Sequence, residues 1–314
     1  MASNFEFYSP TRVIFGKGTE QRVGALVREY GGTRVLIVYG GKSAVRSGVL
    51  DRAENSLAEA GISSWTLGGV VPNPHLDKVY EGIRIGKENS IDFLLAVGGG
   101  SVIDGTKLIA AGLLYDGDAW DIVLKGQAGK TVPLATVLTM SATGSEMNSG
   151  AVISRYETKE KYAFYGDYPV FSILDPETLY SLPKRQVACG LADTFVHVLE
   201  QYMTTPHQSR LMDRWAEGIL HTVVEIAPKA LADERDYDTM SEYMLSATLA
   251  LNDMIRMGVT QDWATHMIGH ELTALHGLTH GATLAIVING TLRVLRGQKR
   301  GKLLQYGERI WGIA

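Results

Sequence analysis

The segment 93–104, which reads FLLAVGGGSVID, constrains the fold more than any other part of the chain. Five apolar residues run without polar alternation into three glycines, and a helical pattern begins directly after them. A strand with no polar alternation is buried on both faces, which is typical of a parallel sheet covered by helices. We therefore predict an α/β fold around this segment.

The rest of the chain divides into two parts. Up to residue 182, apolar runs at 12–15, 35–39, 65–71, 93–97, 132–139 and 171–174 alternate with helical patterns at 21–30, 44–60, 76–88 and 102–114. After Pro183 only helical periodicity remains, at 186–203, 208–229, 238–256, 260–276 and 281–296. We predict an α/β domain with a parallel sheet at 1–182, followed by an all-helical domain at 183–314.

Composition narrows the classes of function. The net charge of -4 and the lack of a basic run argue against nucleic acid or an anionic membrane as a partner. Cys189 is the only cysteine, so no intrachain disulfide can form, which fits a reducing compartment. The amino terminus has no apolar signal core and no stretch is apolar enough to span a bilayer. We expect a cytoplasmic protein.

Two loops rich in small residues follow predicted strands. Glycines allow close approach of a ligand to the backbone, and a following helix N-terminus suits a phosphate. The first loop is Gly98–Ser101, and the second is TMSATGSE at 139–146. Because ligands of open α/β sheets bind beyond the carboxyl ends of the strands, two such loops indicate a diphosphate site. A tight strand-to-helix turn, or a helix cap at Thr143 or Ser145, is the alternative interpretation.

Histidines cluster in the second half of the chain. Four of the eight lie within WATHMIGHELTALHGLTH at 263–280, where His266 and His270 are four apart and share a helix face. Asp193 and His197 show the same spacing upstream. Imidazoles with one carboxylate suit a borderline divalent metal such as iron(II) or zinc. Either pair alone is more often an intrahelical contact, so the hypothesis depends on the pairs converging.

Four motifs together carry a family resemblance. They are GGGSVIDGTK at 98–107, TVLTMSATGSEMN at 136–148, ILDPETLYSLPKRQVACGLADTFVHVLEQY at 173–202 and QDWATHMIGHELTALHGLTHG at 261–281. This combination resembles the iron-containing, group III alcohol dehydrogenases, and especially their bacterial NADP-dependent aldehyde reductases and butanol dehydrogenases. The resemblance implies a dehydroquinate synthase-like fold with an N-terminal dinucleotide-binding domain and a helical metal-binding domain.

The resemblance also assigns roles to individual residues. It implies one divalent metal held by Asp193, His197, His266 and His280, with His270 as the proton relay. The implied cofactor residues are Gly99, Gly100, Ser101, Asp104, Thr139, Thr143, Ser145, Asn73, Lys161 and Tyr180. The substrate would be a small aldehyde or primary alcohol, and a homodimer is a family-level expectation.

The loop after the predicted strand at 35–39 favours NADP(H) over NAD(H). An acidic residue there commonly holds the ribose of NAD and would repel a 2′-phosphate. Here Gly40 and Gly41 leave room for that phosphate, Lys42 offers charge and Ser43 a hydroxyl. The next acid is Asp51.

Three alternatives stay open at this point. A polyol dehydrogenase and a dehydroquinate synthase-like lyase belong to the same superfamily. The lyase is disfavoured, because 186–202 and 257–281 lack the Lys or Arg that a phosphate-bearing substrate requires, Arg185 lying just outside. The third is a truncated, non-catalytic cofactor-binding fragment. Family members usually continue for some tens of residues beyond 303–311, so we expect part of the helical domain to be missing, with apolar surface exposed.

Overall fold

The computed structural model of the chain describes residues 2–232 and 236–313. Two compact units are present. The first comprises residues 10–141 and 145–181, and the second comprises residues 2–9 and 142–144 with the described part of 182–313.

The first unit is built on a six-stranded sheet. Its strands in sheet order are β1 (Arg12–Phe15), β8 (Phe171–Leu174), β5 (Leu134–Met140), β4 (Phe93–Gly99), β2 (Arg34–Tyr39) and β3 (Ser63–Leu67). Every pair is parallel. The central strand β4 is buried from Phe93 to Gly98, as its unbroken apolar run predicts.

Helices cover this sheet. They are α1 (Val23–Glu29), α2 (Lys42–Arg46), α3 (Val49–Glu59), α4 (Leu76–Glu88), α5 (Gly100–Leu113) and α6 (Ala119–Lys125). The core formed by α1, α3 and the sheet is made of fully buried side chains such as Val27, Leu57 and Phe93. The carboxyl end of β4 leads directly into α5, so the glycine loop lies at the carboxyl edge of the sheet.

Two features of the first unit differ from the sequence-based expectation. The predicted helix at 44–60 is wrong as a single element, because Gly48 adopts a left-handed conformation with φ of 72° and separates α2 from α3. An antiparallel hairpin, β6 (Gly150–Arg155) with β7 (Glu160–Tyr165), was not predicted. Only Ala151, Ile153 and Phe164 of its strands are buried, and the longest aliphatic stretch is the three residues 151–153, too short to predict a strand.

The described part of the second unit is helical. It contains α7 (Lys184–Tyr202), α8 (Arg210–Ala232), α9 (Tyr237–Ala250), α10 (Ala264–His276), α11 (His280–Val294) and α12 (Arg300–Trp311). Its core includes Val198, Leu199 and Tyr202 of α7 with Leu220 of α8. The predicted fold class, a parallel α/β part followed by a helical part, is confirmed. Within the described ranges, no helix has the length and hydropathy of a membrane span.

Close packing of α1 on α3 gives a stability prediction. A Cβ at Gly24 would lie 1.9 Å from the Ser56 carbonyl oxygen, so Gly24→Ala must separate the two helices. Overpacking of this kind costs about 1–3 kcal/mol. Chemical denaturation should show that loss, whereas Gly218→Ala should be neutral or slightly stabilising, because Gly218 lies in α8 with open space around it. Equal effects of the two substitutions would contradict the packing argument.

Candidate functional site

Asp193 places a buried carboxylate in the middle of the helical unit. Asp193 and His197 lie one turn apart on α7, and their side chains are 4% and 5% exposed. Three atoms here have no hydrogen-bond partner among the described residues: Asp193 Oδ1, His197 Nδ1 and His266 Nε2. Buried polar atoms in native proteins are nearly always paired, so this group of unpaired atoms indicates a missing ligand.

Three imidazole nitrogens surround Asp193 Oδ1. His197 Nδ1 lies at 3.2 Å, His266 Nε2 at 3.7 Å and His280 Nε2 at 3.9 Å. Ligands bound to a tetrahedral zinc or iron at about 2.0–2.2 Å lie about 3.3–3.6 Å from one another. The observed separations are therefore close to those of donors that share one ion, and mostly longer than a hydrogen bond.

Asp193, His266 and His280 each offer one potential ligand atom, and these three atoms lie within 4.8 Å of one another. His197 stands beside this group: its ring centroid is 4.4 Å from that of His266 and its Nδ1 contacts Asp193. The structure thus brings all four predicted ligands together. The donor set, one carboxylate with imidazoles, fits a borderline divalent metal.

The electrostatics of the cluster favour a charged Asp193 and a neutral His197. Burial opposes ionisation of Asp193, but His197, His280 and His266 outweigh it and hold the pKa of that carboxyl below its usual range. Burial lowers the pKa of His197 to about 4, so this ring is neutral at pH 7. Burial also opposes protonation of His266, but Asp193 and Glu200 outweigh it and raise its pKa.

A second carboxylate, which the sequence analysis did not single out, lies behind His266. Glu200 of α7 is buried, and it accepts a short hydrogen bond from His266 Nδ1 through Oε2. Metal-binding histidines usually donate their second ring nitrogen in this way. The only signal in the sequence was the spacing of seven residues from Asp193, which places Glu200 on the same face of α7.

His270 and His280 extend the histidine cluster. Their ring centroids are 5.2 Å apart, and His270 lies one turn after His266 on α10, half-buried. Half-exposure leaves a titratable ring accessible to a substrate, as a proton relay requires. Among the other histidines, His276 ends α10 and is exposed.

Close contact between α11 and α7 sets the position of His280. Gly281 follows His280 directly, and a Cβ there would lie 2.1 Å from the Cys189 carbonyl oxygen of α7. Only a glycine permits this approach of the two helix backbones. The sequence analysis did not single out Gly281 and did not predict this contact.

The glycine loop of the α/β unit is fixed partly by packing. A Cβ at Gly98 would lie 2.4 Å from the Val102 side chain, and a Cβ at Gly99 would lie 2.9 Å from that of Met140. Gly100 begins α5, whose N-cap makes no side-chain hydrogen bond. Packing therefore requires glycine at Gly98 and Gly99, and the start of α5 has no side-chain cap that would compete with a phosphate for its backbone N–H groups.

Asp104 and Ser145 belong to a buried polar network. Asp104 accepts from Ser145 Oγ at 2.6 Å and from the Val152 amide at 2.9 Å. Lys107, one turn after Asp104, donates to the Ser145 carbonyl at 2.8 Å and to the Gly150 carbonyl at 2.7 Å. Burial raises the pKa of Asp104 and lowers that of Lys107 to about 8. The sequence analysis missed Lys107.

Ser101, Asn73 and Lys161 form a second chain of contacts. The Asn73 amide donates to Ser101 Oγ at 3.1 Å, and Lys161 Nζ donates to Asn73 Oδ1 at 3.0 Å. Asn73 has a left-handed conformation with φ of 58°. The two hydrogen bonds link the loop after β3, the start of α5 and the hairpin, so three of the predicted cofactor residues lie together.

The remaining predicted cofactor residues lie at several loops. Gly40 and Gly41 follow β2, and Ser43 lies in the first turn of α2, where Gly41 and Ser43 are exposed. Thr139 lies near the end of β5 and Tyr180 in the turn Pro176–Ser181, both half-buried. Thr143 groups with the helical unit, whereas Thr139 and Ser145 group with the α/β unit.

The α7–α11 contact predicts a loss of metal affinity. Gly281→Ala should move α11 away from α7 and His280 away from Asp193, so affinity for Zn²⁺ should fall about tenfold or more. Chelator competition on the purified chain measures this. Gly290→Ala on the same helix, where a Cβ meets nothing within 4 Å, should leave the affinity unchanged. An unchanged affinity in Gly281→Ala would contradict the argument.

Comparison with known proteins gives concordant matches. The model of the iron-containing alcohol dehydrogenase family matches residues 10–176, and that of the C-terminal region of the Fe-containing alcohol dehydrogenase family matches residues 187–313. The chain is 48% identical to the NADPH-dependent aldehyde reductase YqhD of Escherichia coli strain K12, over 99% of this chain and 81% of that protein. It is 42% identical to NADH-dependent butanol dehydrogenase A of Clostridium acetobutylicum, over 99% of this chain and 80% of that protein.

Solved structures agree with these matches. The crystal structure of NADH-dependent butanol dehydrogenase A from Thermotoga maritima superposes with a TM-score of 0.97 at 38% identity, covering 100% of this chain and 79% of that one. The crystal structure of E. coli K-12 YqhD superposes with a TM-score of 0.95, covering 100% of this chain and 81% of that one. Since both family models match and together span most of the sequence, the chain belongs to the iron-containing alcohol dehydrogenase family.

Proposed function

We propose that this chain is a metal-dependent oxidoreductase that transfers a hydride between NADP(H) and a small aldehyde or primary alcohol. Residues 1–182 form its dinucleotide-binding domain and residues 183–314 its metal-binding domain. The observation that carries the proposal is the set of unpaired donor atoms around Asp193 at the spacing of metal ligands. Membership of a family of alcohol dehydrogenases supports it.

Asp193, His197, His266 and His280 would hold the divalent ion, either iron(II) or zinc. Bound there, such an ion supplies a Lewis acid that polarises a carbonyl, and reduced nicotinamide cofactor supplies the hydride. Asp193 would contribute a negative charge, which imidazole ligands do not supply. Burial of the cluster keeps water from competing for the ligand positions.

His270 is proposed to move the proton. Reduction of an aldehyde consumes one hydride and one proton, and the proton must reach the former carbonyl oxygen. His270 is half-buried and its ring lies beside that of His280, so it can hold a proton within reach of a substrate near the ligands.

Cofactor binding is assigned to the loops at the carboxyl ends of the strands. Gly99, Gly100 and Ser101 would face the diphosphate, with Asp104, Thr139, Thr143 and Ser145 supporting that loop region, and Asn73, Lys161 and Tyr180 would contribute further contacts. The relatives differ in their named cofactors, NADPH for the E. coli enzyme and NADH for the Clostridium enzyme. The preference of this chain must therefore follow from its own residues, of which Gly40, Gly41 and Ser43 are the candidates.

The main test is oxidation of NADPH with butanal, followed by absorbance. We expect activity that EDTA abolishes and added Zn²⁺ or Fe²⁺ restores. Asp193→Asn removes the charged ligand while keeping its size, and should lower kcat by about 100-fold or more together with metal affinity. His276→Ala changes an exposed histidine at the end of α10 and should retain activity. A chain that binds metal and cofactor without turnover would support the binding-fragment alternative instead.

A second test concerns cofactor choice. Gly40→Asp places a carboxylate after β2, where a Cβ has room, 3.4 Å from the nearest atom. It should repel the 2′-phosphate and shift the NADPH:NADH ratio of kcat/KM toward NADH. Loss of one charge-assisted contact is worth about 1.5–3 kcal/mol, on the order of 10- to 100-fold.

Gly129→Asp, at an exposed loop position with open space, is the matched control for added charge. A wild-type preference for NADH, or the same ratio in Gly40→Asp as in wild type, would show that the loop after β2 does not select the cofactor.

A further inference from the structure

Glu200 binds the start of α10 through both carboxylate oxygens and the segment before it through its backbone carbonyl. Its Oε1 accepts from the Thr265 amide at 2.5 Å, and its Oε2 accepts from the His266 amide at 3.1 Å and from His266 Nδ1. Its backbone carbonyl also accepts from the Asp262 amide at 3.2 Å. One residue of α7 therefore binds both the segment that leads into α10 and the first turn of that helix.

The chemistry of this contact decides which nitrogen of His266 carries the proton. An ionised carboxylate can only accept, so His266 Nδ1 must be the donor. Nε2 then keeps its lone pair in a neutral ring, and Nε2 is the atom that lies 3.7 Å from Asp193 Oδ1. With the opposite tautomer, an N–H group would occupy the direction in which a ligand is needed.

We propose that Glu200 is the positioning residue of the metal site, fixing His266 with Nδ1 protonated and Nε2 free to bind a divalent cation. The inference rests on the proposed function for the identity of the ligand. Glu200 acts through His266 and touches neither substrate nor cofactor.

The substitution Glu200→Gln isolates this role. Glutamine keeps the size of the side chain but replaces one acceptor oxygen by an NH₂ donor. Facing His266, that donor requires Nδ1 to accept, which moves the ring proton to Nε2. Glu217→Gln is the matched control, since Glu217 is also buried in the helical unit and accepts from Tyr202, Gln305 and Arg309, with no histidine among these partners.

The experiment has two readouts on the full chain. Long-range ¹H–¹⁵N spectra of metal-free, histidine-labelled protein, assigned with a His266→Gln sample, report the tautomer. Affinity for Co²⁺, with the visible spectrum of the bound ion, reports the ligand set. We expect Nδ1–H in wild type and in Glu217→Gln, Nε2–H in Glu200→Gln, and Co²⁺ affinity 10- to 100-fold weaker in Glu200→Gln alone.

Retention of Nδ1–H in Glu200→Gln, or a Co²⁺ affinity within threefold of wild type, would overturn the inference and leave Glu200 a structural residue. If Glu200→Gln does not fold, Glu200→Asp is used with the Co²⁺ criterion alone, because its carboxylate stops one methylene short of His266 and offers Nδ1 no donor. A wild-type chain that binds no Co²⁺ would contradict the proposed function, whereas the tautomer still tests Glu200 separately.

Discussion

A buried carboxylate oxygen with no hydrogen-bond partner is the constraint on which the helical unit depends. Removing Asp193 from water costs several kcal/mol unless charge or hydrogen bonds compensate. The surrounding imidazoles offset this cost electrostatically, but Asp193 Oδ1, His197 Nδ1 and His266 Nε2 still have no hydrogen-bond partner among the described residues. A divalent cation would satisfy these atoms together. The arrangement is therefore the one expected of a preformed metal site.

The geometry of α7 makes this arrangement possible. Asp193, His197 and Glu200 recur at intervals of four and three residues, so one face of a single helix presents two of the proposed ligands and the carboxylate behind a third. The starts of α10 and α11 pack against that face. Gly281 allows α11 to approach, and Glu200 binds the first turn of α10. The positions of His266 and His280 thus depend on α7 as well as on their own helices.

Sequence patterns predicted the fold class because buried strands give apolar runs, and a spacing of four placed Asp193 and His197 on one helix face. The family resemblance, not the spacing, implied the full set of four ligands. Glu200 and Lys107 were not singled out, because their partners lie 66 and 38 residues away in the chain. The predicted helix at 260–276 begins later, at Ala264, because the residues before it bind α7 instead.

The network of Asp104 and Lys107 and the cluster around Asp193 differ in whether their buried polar atoms are hydrogen-bonded. Lys107 donates to four acceptors and both oxygens of Asp104 accept from the protein, so that network is satisfied internally. It stabilises the loop and hairpin without requiring a ligand. The cluster at Asp193 has the opposite property, since its unpaired atoms face one another at ligand spacing. A buried network whose polar groups are all hydrogen-bonded stabilises the structure, whereas unpaired donor atoms at the spacing of metal ligands form a binding site. Asp104 is accordingly held by Ser145 and the Val152 amide, whereas Asp193 Oδ1 has no hydrogen-bond partner among the described residues.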